Sequence, residues 1–230
     1  MGNFLILAME QIYNRKEYFM SIPFGSEWAP AFRQLADISQ IILTVGPIIL
    51  LGIFLIIKIK SKQQDEDILY NLTQLELLDN YNRNELIKID RSDIPVEFAA
   101  KAEDTIAMAD YGKNLGLPGK CFAIKYNKNY VGILLIGKAV ANAADPVELK
   151  ETDYFRIMGF FIQSKYQGMG IGTTALQKAI DEIHSEYGPV TLLLECHKGN
   201  EKGLAFYEKN GFVNTGKMNA KGTDYFMILK

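Results

Sequence analysis

The pattern of apolar and polar positions separates one long apolar run near the N-terminus from a longer region of alternating signals. Residues 38–57 carry no charged side chain. A helix of that length rises about 30 Å, which matches the hydrocarbon thickness of a bilayer. The run therefore predicts one transmembrane helix. A buried core helix is the alternative, but core helices seldom lack a polar face for this long.

The charges that flank this run predict its orientation. Lys58, Lys60 and Lys62 follow it directly, whereas Arg33 is the cation close before it. Because short cationic segments stay on the cytoplasmic side, we expect the C-terminal part of the chain to be cytoplasmic. The predicted localisation is thus a single-pass membrane protein with a cytoplasmic C-terminal domain.

The chain accordingly divides into four predicted segments. Residues 1–37 form a non-cytoplasmic or interfacial segment, and 38–57 form the transmembrane helix. Residues 58–83 are polar with a short helical period, which predicts a juxtamembrane linker or stalk. From residue 84 to residue 230, strand and helix signals alternate, which predicts one compact α/β domain.

Within the α/β domain, β-rich runs and helical periods predict the order of the elements. The run 154–162 is apolar on both faces, which is typical of a central strand, and its Gly159 indicates a bulge. Helices are predicted over 173–187 and 200–210. The predicted strands are 85–89, 120–126, 130–140, 154–162, 190–197, 211–218 and 223–229.

Composition excludes several classes of protein. The 230 residues are 48% hydrophobic and carry a net charge of −2, so the chain is neither a disordered acidic tail nor a basic nucleic-acid binder. The two cysteines, Cys121 and Cys196, have no metal-ligand spacing. They predict buried thiols and no metal site.

Three glycines at alternate positions, Gly168, Gly170 and Gly172, lead directly into a predicted helix. A helix start exposes N–H groups at the positive end of its dipole, so a glycine-rich turn at that place favours a phosphate. The spacing lacks the lysine of a Walker A loop and differs from the Rossmann G-x-G-x-x-G. A tight turn without a ligand is the alternative.

Two motifs resemble one family. The stretch QGMGIG, residues 167–172, resembles the Q/R-x-x-G-x-G/A loop of the GNAT superfamily of acetyl-CoA-dependent N-acetyltransferases, and 200–212 is similar to that superfamily's second signature. The resemblance covers residues 84–230. It implies a mixed, mostly antiparallel sheet that is splayed at the cofactor site and flanked by helices.

The resemblance also implies a site for acetyl-CoA as co-substrate. The loop N–H groups would hold the diphosphate, and the strand 160–162 would pair with the pantetheine arm. Asn200 would lie near the pantetheine and Tyr207 near the sulfur. The residues implied to bind acetyl-CoA are Phe160, Phe161, Ile162, Gln167, Gly168, Met169, Gly170, Ile171, Gly172, Thr173, Asn200 and Tyr207.

Acetyl transfer requires a neutral amine, and a primary amine holds its proton at pH 7 by about 4 to 5 kcal/mol. Glu195 and His197, at the end of a predicted strand, are the candidate bases, and Tyr207 is the candidate acid for the leaving thiolate. The structural alternatives are a solvated strand end for Glu195, a capping loop residue for His197 and a core aromatic for Tyr207.

These observations predict a membrane-tethered N-acetyltransferase that transfers an acetyl group to a primary amine by direct attack in a ternary complex. The acceptor is a small-molecule or peptide amine, with no nucleic acid among the partners and a homodimer left open. Acidic residues between 93 and 110 suit a cationic acceptor or a solvated helix face. The alternatives are a catalytically silent acyl-CoA sensor or scaffold and a nucleotide-binding regulator.

Overall fold

The computed structural model describes residues 29–138, 145 and 146, and 154–230. The predicted N-terminal segment lies outside the described residues as far as residue 28. The chain forms two compact units, which divide between Lys62 and Gln63.

The first helix, α1 (Ala29–Leu72), contains the whole apolar run 38–57. Among the residues described, no helix is both long enough and apolar enough to cross a bilayer. The prediction of a transmembrane helix is therefore not supported.

The second unit is built on a seven-stranded sheet with the order β1-β2-β3-β4-β5-β7-β6. Helices pack on both of its faces. The strands are β1 (Thr73–Leu77), β2 (Gly119–Tyr126), β3 (Asn129–Gly137), β4 (Tyr154–Ile162), β5 (Thr191–His197), β6 (Val213–Met218) and β7 (Asp224–Leu229). The helices are α2 (Asn80–Ile87), α3 (Ala102–Asn114), α4 (Ile171–Tyr187) and α5 (Glu201–Lys209).

The strand predicted over 85–89 is wrong, because most of these residues belong to α2. Asp79 begins α2 with a capping box, in which its carboxylate accepts the N–H of Asn82 while the Asn82 side chain accepts the N–H of Asp79. This cap fixes helical geometry in a sequence whose apolar spacing also suits a strand. The first strand is instead β1, so the sheet begins before residue 84.

The strand predicted over 154–162 is confirmed, with the same bounds, as the central strand β4. Its pairing with β3 shifts register at Leu135, which confirms the bulge predicted near Gly159. A Cβ at Gly159 would lie 2.6 Å from the Thr105 side chain of α3. Glycine is therefore required there by the close approach of α3 to the sheet.

The helix predicted over 173–187 begins two residues earlier, at Ile171, and forms most of the core on one face of the sheet. Its buried side chains recur at helical spacing. They are Ile171, Ala175, Leu176, Ala179, Ile180 and Ile183. On the opposite face, α2 and α3 bury Leu86 and Ile106 against β2 and β3.

The sheet separates at its centre. β4 pairs with β5 in parallel only from Tyr154–Thr191 to Ile157–Leu194. Beyond that point β4 stays paired with β3, and β5 stays paired with β7. We call this divergence after Ile157 and Leu194 the fork. It confirms the predicted mixed, mostly antiparallel sheet that is splayed and flanked by helices.

Candidate active site

The open edge of β4 beyond the fork presents peptide groups to a ligand. The N–H of Gln163 donates to Val131 of β3 at 2.7 Å. Because peptide groups alternate in direction along a strand, Phe161 also faces β3, whereas Phe160 and Ile162 face the fork. Two of the three predicted strand residues therefore offer backbone groups there, and Phe161 contributes its side chain to the core.

Two glycines of the loop have a backbone conformation that other residues rarely adopt. Gly168 and Gly170 have φ of 76° and 85°, in the left-handed region that favours glycine. The N–H of Thr174 donates to Gly170 at 3.0 Å. The three N–H groups before it, at 171–173, point out of the N-terminal end of α4, where the helix offers them no acceptor.

The start of α4 lies beside the fork. A Cβ at Gly172 would lie 3.4 Å from the Phe206 ring and 3.6 Å from the Ile162 side chain, so this glycine faces the space between α5 and the end of β4. The Ile171 side chain is fully buried, which leaves only its backbone for a ligand. Met169 is exposed at the tip of the loop.

Gln167 ties the loop to β4. Its Nε2 donates to the carbonyl of Ile162 at 2.7 Å. The side chain thus occupies an acceptor on the open edge of β4 and fixes the distance between loop and strand. The prediction that Gln167 takes part in binding acetyl-CoA stays a prediction.

Helix α5 brings the second motif to the same place. Asn200 begins the helix, and its Oδ1 accepts the N–H of Gly203 at 2.9 Å, so its side chain caps α5. The Phe206 ring lies 5.8 Å from the Phe160 ring of β4, centroid to centroid. The aromatic contacts of α5 therefore reach the open edge of β4.

Tyr207 packs between two aromatic rings, with centroids 5.2 Å from Phe206 and 5.6 Å from Phe212. Burial raises the pKa of its hydroxyl above the ordinary value, with the nearby Cys196 thiol acting in the same direction. The hydroxyl consequently stays protonated at neutral pH and can donate a hydrogen bond. Complete proton transfer to a thiolate, whose conjugate acid has a pKa of about 8.5, would be uphill.

The two candidate bases are already engaged by other groups. Glu195 accepts from Arg156 at 3.0 Å through Oε1 and from Asn219 at 3.0 Å through Oε2. His197 accepts the N–H of Gly199 through Nδ1 at 3.1 Å. In the neutral tautomer that this bond selects, Nε2 carries the proton and is a donor. The role of either side chain as a base stays a prediction.

Arg156 has a larger role than the sequence indicated. Its guanidinium bridges β4 and β5 through Glu195 at the fork, and it also pairs with the buried carboxylate of Asp145. The Tyr154 hydroxyl donates to Asp145 at 2.5 Å. A single charged residue inside an otherwise apolar strand was the signal in the sequence, but its partners depend on the register of the strands.

The fork also opens on the face of the sheet away from α4. Glu195 and His197 alternate with the buried Leu194 and Cys196, so they face that side. The Phe98 ring, which precedes α3, lies 5.4 Å from the His197 ring. The fork thus has one side lined by α4 and α5 and another lined by these polar and aromatic groups.

A central strand with an open peptide edge, next to a glycine-rich helix start, suits an extended ligand with an amide-containing arm and a diphosphate. Coenzyme A has both parts, so the site has the form that the resemblance to coenzyme A-dependent acyltransferases implies. The chain belongs to the GNAT acetyltransferase family, since the model described as "Acetyltransferase (GNAT) family" matches residues 83–212, more than half of its length.

Solved structures share this fold at low sequence identity. The apo form of FdhC, a nucleotide-linked sugar GNAT, is 14% identical over 69% of this chain and 86% of its own, with a TM-score of 0.52. The ribosomal-protein-S5-alanine acetyltransferase of Vibrio fischeri is also 14% identical, over 69% and 92% of the two chains, with a TM-score of 0.51. The PaiA N-acetyltransferase of Thermoplasma acidophilum, in complex with coenzyme A, is 20% identical over 69% and 98%, with a TM-score of 0.50.

The prediction of acetyl-CoA as co-substrate is confirmed by membership of this family. The residues fit such a ligand, because the N–H groups at the start of α4, the bare Cα of Gly172 and the open edge of β4 lie side by side. Bound acetyl-CoA supplies an acetyl group activated as a thioester. The assignment of individual residues to its binding remains a prediction.

Gly172 provides a test of the diphosphate position. Gly172→Asp places a carboxylate beside the N–H groups of α4, and we expect the affinity for coenzyme A to fall at least tenfold through charge repulsion. Gly172→Asn is the matched control, because it has the same shape without the charge. An acidic residue in the first turn favours the helix itself, so stability is retained. Equal coenzyme A affinities of the two variants in isothermal titration would place the diphosphate elsewhere.

Proposed function

We propose that the protein transfers the acetyl group of acetyl-CoA to a primary amine by direct attack in a ternary complex. The observation that carries this proposal is the fork, which opens to α4 and α5 on one side and to Phe98 and His197 on the other. A co-substrate and an acceptor can therefore approach the same point of β4 from two sides. Effective concentration at that point accelerates the reaction without a covalent enzyme intermediate.

Direct attack is supported by the state of the two thiols. Cys121 and Cys196 are both buried. Burial raises the pKa of Cys121 to about 12 and that of Cys196 to about 11. Because the thiolate is the nucleophile, neither side chain is suited to carry an acetyl group at neutral pH.

In this mechanism, residues of β4 and α5 act on the thioester. An N–H on the open edge of β4, at Phe160 or Ile162, donates to the carbonyl oxygen as negative charge develops. The Tyr207 hydroxyl donates to the sulfur of the departing coenzyme A. The amine must lose its proton before it attacks. Water in the fork relays this proton to bulk solvent or to Glu195 or His197, the candidate bases.

The acceptor is a small-molecule or peptide amine that enters beside Arg156 and Glu195. Of the acidic residues before and within α3, Asp93, Glu97, Glu103 and Asp104 are exposed to solvent. Asp110 is bound by Arg83 through two hydrogen bonds of 2.5 and 2.7 Å.

A homodimer remains a prediction, and sedimentation velocity tests it.

A second candidate function is a catalytically silent acyl-CoA sensor. The engagement of Glu195 and His197 favours it, because a sensor needs no base. The two functions differ in one result: release of coenzyme A when acetyl-CoA and a broad panel of amines are mixed with the full chain. Binding of acetyl-CoA without such release identifies the sensor.

With an accepted amine in hand, Tyr207→Phe tests the proposed chemistry. We expect kcat to fall about 10- to 100-fold, with an unchanged KM for acetyl-CoA. This decrease is small for the loss of a proton donor, because a thiolate is a good leaving group even without a proton. Tyr187→Phe is the matched control, since Tyr187 lies at the far end of α4. An unchanged kcat for Tyr207→Phe would remove the hydroxyl from the mechanism.

We also propose that α1 attaches the protein to a membrane, with the acetyltransferase domain on the cytoplasmic side. The support is its exposed apolar surface: Ile48, Leu50 and Ile57 each have more than 60% of their surface accessible. Exposed apolar area on this scale favours removal from water. The lysines that follow Ile57 support the cytoplasmic side.

Vesicle flotation tests this attachment. The full chain is expected to float with phospholipid vesicles, and the double variant Leu50→Lys with Phe54→Lys is expected to remain in the aqueous fraction. Tyr81→Lys with Tyr111→Lys is the control, because it adds the same charges at similarly exposed sites outside α1. Equal flotation of both variants would contradict attachment through α1. Protection of the acetyltransferase domain from protease added to intact cells tests whether this domain lies on the cytoplasmic side of the membrane.

A further inference from the structure

The last turn of α1 lies against the glycine loop. A Cβ at Gly170 would lie 2.7 Å from Cδ2 of Leu69. Apart from the neighbours of Gly170 along the chain, this methyl group is the one heavy atom within 4 Å of that position among the described residues. Leu69 is partly buried and packs against the main core of the domain. It lies before residue 83, where the match to the family begins.

Helix α4 holds this turn of α1 in place. Nζ of Lys178 donates to the carbonyls of Tyr70 and Thr73, both at 2.7 Å, and lies 3.8 Å from the centroid of the Tyr70 ring. Hydrogen bonds from a charged donor to the carbonyls at a helix end are stronger than neutral ones. Leu69 is thus fixed relative to the helix whose first turn forms the diphosphate site.

Leu69 and the fork lie on different sides of the loop. Gly172 faces Phe206 and Ile162, whereas Gly170, two residues earlier, faces Leu69. The loop residues 168–170 are themselves exposed to solvent. Contact with Leu69 therefore supports a loop that has little other packing on the side away from the ligand.

We propose that Leu69 is a positioning residue for acetyl-CoA. Its side chain contacts Gly170 on the side of the loop away from the ligand. This contact keeps the N–H groups at the start of α4 directed at the diphosphate. This inference rests on the proposed placement of the diphosphate at the glycine loop. It makes the end of α1 a part of the co-substrate site, although α1 precedes the region shared with the family.

The test compares two substitutions in the full chain. Leu69→Ala is expected to raise the Kd for coenzyme A at least fivefold in isothermal titration, whereas its exposed neighbour variant Ile68→Ala leaves it within twofold. Leu69→Met, which restores a side chain of similar length, is expected to recover most of the affinity. Equal affinities of Leu69→Ala and Ile68→Ala would overturn the inference.

A second ligand separates positioning from a general effect on the fold. Pantetheine lacks the diphosphate, so its binding is expected to be unchanged in Leu69→Ala. Equal losses for pantetheine and coenzyme A, with a lower melting temperature, would show a merely structural role. If Leu69→Ala does not fold, Lys178→Met replaces it, because this variant releases the end of α1 and keeps an apolar stem; unchanged coenzyme A affinity then overturns the inference.

The outcomes also separate this inference from the proposed function. An unmodified chain that binds no coenzyme A removes both the site and the role of Leu69. An unmodified chain that binds coenzyme A and keeps that affinity in Leu69→Ala removes only the role of Leu69.

Discussion

The proposed site depends on backbone N–H and C=O groups of β4 that no neighbouring strand pairs. Strand β4 pairs with β3 from Arg156 to Ile162, but it pairs with β5 only as far as Ile157. Unpaired N–H and C=O groups inside a protein are costly unless another group or solvent satisfies them. An extended ligand with amide groups meets this requirement, and the diverging strands leave room for it. The proposed binding site is thus a consequence of incomplete pairing at the centre of the sheet.

Several interactions fix the place at which β4 and β5 separate. Arg156 and Glu195 join β4 to β5 on one face of the fork, and the side chain of Gln167 occupies the carbonyl of Ile162 at the end of β4. On the other face, the rings of Phe160 and Phe206 connect β4 to α5. The region proposed to bind the co-substrate is therefore fixed by contacts between elements distant in the sequence.

Local signals in the sequence predicted much of this arrangement. A continuous apolar run identified β4 with its bounds, and the alternating glycines identified the start of α4 within two residues. The prediction of a strand over 85–89 was wrong because the apolar spacing there suits both a strand and a helix. The capping box at Asp79 stabilises the helix. Contacts such as Arg156 with Glu195, 39 residues apart, depend on strand register and could not be read from spacing. The support of Gly170 by Leu69 likewise exists only in the folded chain.

A crystal structure of the full chain grown with coenzyme A tests the account most directly. The account predicts diphosphate oxygens within hydrogen-bonding distance of the N–H groups at 168–173, and a pantetheine arm alongside Phe160 and Ile162. A complex in which β4 and β5 pair beyond Ile157, or in which the diphosphate contacts side chains away from the start of α4, would contradict it.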